Sequence, residues 1–161
     1  MDTFDGIPTH PLFVHLTVVA IPLAALLGIV AVAWPAARRK IGIVGPAVAL
    51  VALIMTPITT SAGEALEEKT PSSSILNEHT EWGDRVLYLV APLFLFMLIF
   101  WALNSDKALG WLTSKVSALN PRTVSIANIV VAVLVVGFAL ASLVLIYQVG
   151  HSGAESVWRR D

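Results

Sequence analysis

No cysteine occurs among the 161 residues. Disulfides, thiolate-held metal sites, iron–sulfur clusters and covalent c-type haem attachment are therefore excluded. Charge is the second scarcity: 13% of residues are charged, against about 25% in an ordinary soluble domain. Leu16 to Trp34 and Thr123 to Val149 contain no charged residue at all, which gives ion or proton conduction through these segments little support. A net charge of −1 offers no basic footprint for nucleic acid. The acidic start MDTFDGIPTH lacks the positive n-region of a signal peptide, so the apolar run after it is expected to be a retained span. No Ser/His/Asp constellation, phosphate-binding glycine loop or His-Glu-x-x-His signature stands out.

What fills the chain is apolar: 57% of residues are hydrophobic and the mean hydropathy is +0.80. Four runs account for this, at about residues 11–35, 41–61, 86–103 and 123–149. Each is near or above the roughly 20 residues needed to cross a hydrocarbon core. Buried helices of a soluble protein would need polar faces, which these runs lack. The expected fold is an all-α membrane protein, a four-transmembrane-helix up-down bundle forming a single domain over 1–161. Pro22, Pro46, Pro57 and Pro92 fall inside the spans and predict kinks. Thr56, Thr59, Thr60 and Ser61 supply hydroxyls around Pro57.

Charge orients the bundle. The 1–2 and 3–4 connections hold Arg38, Arg39, Lys40, Lys107, Lys115 and Arg122 against one acid, Asp106. The opposite ends hold Lys69, Arg85, Arg159 and Arg160 against the other ten acids. The positive-inside rule then places both termini outside the cytoplasm. Glu64 to Lys69 has a helix-favouring composition and should extend the second span, with Thr70-Pro71 as the break. Ser73 fits an N-cap, which puts His79 on a helical extension leading into the third span. The 3–4 connection, with Trp111-Leu112 and Val116 among basic residues, predicts an interfacial amphipathic segment. Trp82, Trp101, Trp111 and Trp158 fit interfacial belts.

All four histidines fall at one end of this bundle. His10 and His15 open the first span, His79 precedes the third and His151 follows the fourth. Imidazole is the commonest metal ligand and an axial ligand of haem. His10 and His15 are about 140° apart on a regular helix, so they need not serve one ion; His15 is expected to lie deepest in the bundle. Gly83 follows His79 by four residues, and Gly150 and Gly153 flank His151. Small neighbours let a planar ring approach the backbone, which suits a haem better than a bare ion. Glu64, Glu78, Glu81 and Asp84 lie near the same end and could orient imidazoles. Arg85 could pair with a haem propionate, or with Glu81 instead.

His-Pro-Leu-Phe-Val-His at 10–15, the isolated His79, and Gly-His-Ser-Gly-Ala-Glu-Ser-Val-Trp at 150–158 resemble a bacterial four-helix membrane family. Its label is domain of unknown function number 2231, and the resemblance covers essentially the whole chain. The family's motifs run roughly His-Pro-hydrophobic-hydrophobic-Val-His-Phe-Pro and Gly-His-x-Gly-Gly-x-hydrophobic-Val-Tyr. Here Leu16-Thr17 replaces Phe-Pro, Ala154 the second glycine and Trp158 the tyrosine, with no imidazole lost. Members are sometimes joined to Rieske-type or cytochrome domains. The resemblance therefore implies a bacterial cytoplasmic (inner) membrane location and a redox protein partner at the outer face.

The leading expectation is a membrane b-type cytochrome carrying one or two haem b groups non-covalently between histidine pairs. Bis-histidine ligation favours electron transfer over catalysis, and His15 with His79 or His151 is the preferred pair. The first alternative is a zinc or copper site at the same histidines, for binding, sensing or hydrolysis, with Glu64 as a base. The second is a structural subunit or anchor of a redox complex. The lipid bilayer is the one certain partner, and self-association is left open.

Overall fold

The computed structural model describes residues 3–4, 7–68, 74–115 and 120–158. Six helices are described: α1 (Thr9–Ala33), α2 (Pro35–Ile41), α3 (Val44–Glu67), α4 (Ser74–Leu103), α5 (Asp106–Lys115) and α6 (Pro121–Trp158). A two-residue antiparallel pair, β1 (Thr3–Phe4) with β2 (Ile7–Pro8), precedes α1. Helices α1, α3, α4 and α6 are long and apolar enough to span a membrane. Each packs on two neighbours, α1 on α3 and α6, and α4 on α3 and α6. The all-α four-span architecture expected from the apolar runs is the architecture observed. Helix α3 runs on to Glu67 and α4 begins at Ser74, so His79 does ride on a helical extension. The 3–4 connection does contain a helix, α5, with Trp111 exposed. Ser73, the expected N-cap, and Val116 lie outside the described residues.

Small side chains are prominent in the core, beside Ile21, Val90, Leu93 and Val135. Ala24, Ala25, Ala49, Ala52 and Ala139 are fully buried, while Val19, Leu26, Ile129 and Val133 face outward. Water would reverse that preference, because large apolar side chains gain most from burial. In lipid the outward face is solvated by hydrocarbon, and helices associate by close packing of small residues. Gly28 and Gly45 continue the pattern toward the α1–α2 end. A Cβ on either would lie 3.1–3.3 Å from Met97 and from Val135 or Ile41, so Met97 occupies the space that the two glycines leave.

Polar contacts tie the two ends. At one end Thr17 of α1 and Thr59 of α3 share a buried 2.7 Å hydrogen bond. Thr56, Thr59 and Thr60 donate to the carbonyls of Ala52, Met55, Thr56 and Pro57. These flank the Leu53 carbonyl that Pro57 frees. Thr17→Val is expected to destabilise the bundle by about 0.6 kcal/mol, with about 1.7 as the upper range for such bonds in membranes. Unfolding in mixed micelles checks this, and a stabilised variant would contradict it.

At the other end Trp34, held extended by the proline that follows it, separates α1 from α2. Pro35 opens α2, and Gly42 closes it at φ 49°, a conformation that favours glycine. The turn folds Arg38 back over the end of α1. Its Nε donates to the Ala31 carbonyl at 2.8 Å and Nη2 to that of Val32 at 3.1 Å. Both carbonyls are in the last turn of α1, where helical partners run out. Nη1 donates to Asn104 Oδ1 at 2.6 Å. Asn104 Nδ2 in turn donates to the Phe100 carbonyl at 2.8 Å and to Asn128 Oδ1 at 2.6 Å. The guanidinium also lies 4.7 Å from the centre of the Phe100 ring. One cation thus joins α1, α4 and α6.

Candidate functional site: the histidine end

Up-down alternation brings the start of α4 beside the end of α6, and there His79 meets the Gly-His-Ser-Gly turn. His79 Nδ1 lies 3.2 Å from Ser152 Oγ. The ring lies flat enough on α6 that a Cβ at Gly153 would come within 2.9 Å of its Cε1 and 3.2 Å of its Nδ1. Gly153 does admit a planar ring against the backbone. The ring found there is the imidazole of His79 itself.

Ser152 orients the His79 ring. Its hydroxyl has one proton, and its shortest acceptor is the Gln148 carbonyl at 2.9 Å, with that of Val149 at 3.3 Å. A serine on a helix spends its proton this way routinely. The oxygen lone pairs then face His79 Nδ1, which donates to them in its Nδ1–H tautomer. A second group that holds Nδ1–H and fixes the ring orientation is the usual support of a metal-ligating histidine. Ser152 is 6% exposed, so water competes little for this relay. Its sequence signal is its place beside Gly153, one turn from Gln148.

The remaining histidines behave differently. His151 is exposed, its side chain 58% accessible, and its Nδ1 lies 3.8 Å from Glu155 one turn on. The Tyr147 ring is 6.1 Å from its own. His15, expected deepest in the bundle, is exposed on α1. An all-round apolar helix gives no moment from which to read its buried face, and the small residues turn inward instead. His10 lies in the first turn of α1, but its side chain is outside the described residues. Among the described residues no three of His, Asp and Glu gather in a group that could hold a metal ion.

The other expected site residues divide. A Cβ on Gly83 or Gly150 would meet nothing within 4 Å, so both positions border open space. Arg85 pairs with Glu81 at 3.7 Å and lies 4.7 Å from the Trp82 ring centre. Glu78 accepts a bond from Trp82 Nε1 at 3.3 Å. These acids serve neighbours on their own helix in the contacts observed. Gly153→Ala is expected to displace the His79 ring and cost roughly 1–3 kcal/mol by overpacking. Thermal unfolding in detergent checks the cost, and an unchanged midpoint would argue against the close seat.

A family model described as "Predicted membrane protein (DUF2231)" matches residues 6–161. No curated protein matches the chain, and no solved structure matches it.

Proposed function

The chain belongs to the DUF2231 family of predicted membrane proteins, and we propose that it is a membrane b-type cytochrome that passes electrons at its histidine end. The observation that carries this reading is the seat of His79 on α6, where its Nδ1 lies 3.2 Å from Ser152 Oγ and that hydroxyl donates to the Gln148 carbonyl. Haem, when bound, supplies a one-electron couple at its iron. The donor set suits it: one or two imidazoles suffice for haem, whereas zinc takes three or four protein ligands. His79 would hold one haem, or one of two, together with a second imidazole from His10, His15 or His151, and a Cβ on Gly83 or Gly150 would meet nothing within 4 Å. Arg85 would exchange its exposed partner Glu81 for a propionate.

Charge distribution supports an outer-face location in a bacterial inner membrane, with both termini and a redox partner on that side. Two imidazoles holding the group would favour electron transfer over catalysis. A zinc or copper site remains the second class, for which the His151–Glu155 pair is the one observation in favour. A titration of purified protein with haem separates them. A saturable Soret shift at one or two equivalents is expected, unaffected by excess zinc. Ser152→Ala should weaken the affinity about 10- to 100-fold, as loss of such a support does at metal sites. A featureless titration together with stoichiometric zinc uptake would replace haem with the bare ion.

A further inference from the structure

Two cavities lie at the end of the bundle remote from the histidines. The first, about 390 Å³, enters between the spans. Its interior is bounded by Gly28, Gly45, Met97 and Val135, and its mouth by Arg38, Arg39, Asn104 and Asp106. The second, about 380 Å³, is an almost wholly apolar groove bounded by Val32, Ile129, Ala132, Val133 and Val136, with Asn128 as its polar edge. Arg38 and Phe100 border both. We propose that this end binds one anionic diacyl phospholipid, its phosphate at Arg38 and Arg39 and one acyl chain entering each cavity.

Several independent features converge on that occupant. The guanidinium of Arg38 has five N–H donors, and the three bonds to Ala31, Val32 and Asn104 leave two for an anion. Those three bonds also fix the fork in place, so little side-chain freedom is lost on binding. Arg39 is exposed at the same mouth. The basic connections make this the positive end of the molecule, with six Lys and Arg against Asp106 alone. Exposed Trp34 and Trp111 mark the level of the headgroups. Basic pockets between spans are a recurrent means of holding acidic headgroups. The second space is almost wholly apolar, and the inner part of the first is bounded by Gly28, Gly45, Met97 and Val135, which suits hydrocarbon and not a free anion. A soluble phosphate would use the mouth and leave these apolar surfaces uncovered.

The test uses the full chain in detergent, with phosphatidylglycerol, phosphatidylcholine of the same acyl composition, and inorganic phosphate as probes in native mass spectrometry. Retention of a single phosphatidylglycerol, at least fivefold above phosphatidylcholine, is expected. Arg39→Gln should cut that preference roughly fivefold, the contribution of one basic residue near an anionic surface. Ala132→Phe, which fills the groove, should lower retention without touching the charges. Helicity by circular dichroism keeps these losses distinct from unfolding. Equal retention of the two lipids, retention undiminished in both variants, or phosphate binding that displaces the lipid completely would each overturn the proposal.

Discussion

His79→Ala is expected to remove the Soret absorbance of the haem that His79 would hold, all of it for one haem and about half for two, while leaving the helix content unchanged. The His79 imidazole is held against a neighbouring helix, with Nδ1 on Ser152 Oγ and the ring close against Gly153. A ligand held in one orientation has already met part of the ordering cost that a mobile side chain meets on binding. His151→Ala and His15→Ala remove exposed imidazoles, and each should lower haem retention less. The loss in His79→Ala should be partly restored by imidazole in solution, which can replace a missing ligand but not a missing fold. The fold itself should tolerate the change, since one hydrogen bond of this kind contributes about 1 kcal/mol. A full Soret band in His79→Ala would remove His79 from the ligand set.

The largest stability loss is expected from Arg38→Met. Bonds from a charged donor contribute about 1.5–3 kcal/mol each in water, whereas polar bonds between membrane helices average about 0.6. Three bonds and a ring contact then predict a loss of about 2–4 kcal/mol, bracketed by those two scales. Part of it arises because Asn104 Oδ1 and the Ala31 and Val32 carbonyls lose their donor at once. Arg38→Lys should recover only a minor share, because a single ammonium cannot span three acceptors on two helices. Reversible unfolding in mixed micelles measures both variants. Equal stability of wild type and Arg38→Met would mean that the clamp is incidental.

The spans, their alternation and the helical extension under His79 were legible because each follows from hydropathy and breakers. Thr70-Pro71, the expected break, lies outside the described residues, and the Trp34-Pro35 step falls inside the first apolar run as the sequence bounded it. Facing was not legible. Helix α1 is apolar on every side, so nothing in its pattern said that His15 would be exposed while Thr17, two residues on, would be buried against Thr59. Small residues carry that information in membranes, and Ala20, Ala24 and Gly28 mark the inward stripe.

Arg38 shows a second limit. Its charge was read for orientation, and the same residue proves to bind the carbonyls that end α1. The break before Pro35 makes that possible, and its geometry is not contained in a count of charges. Gly153 and Ser152 show a third. Spacing placed them near an imidazole, but the partner is His79, 73 residues away from Ser152 in sequence. Antiparallel alternation predicted the end of the bundle at which they meet, and only the packing of α4 on α6 determined which rings and hydroxyls touch.

The central claim is that the histidine end holds haem, and a pyridine haemochrome spectrum with iron and zinc quantitation tests it most directly. The measurement is made on wild-type protein purified from cells given adequate haem. Haem b at one or two equivalents, with iron to match and one equivalent of each lost in His79→Ala, is the predicted result. Protein that carries no haem and no iron under those conditions, or stoichiometric zinc instead, would contradict it.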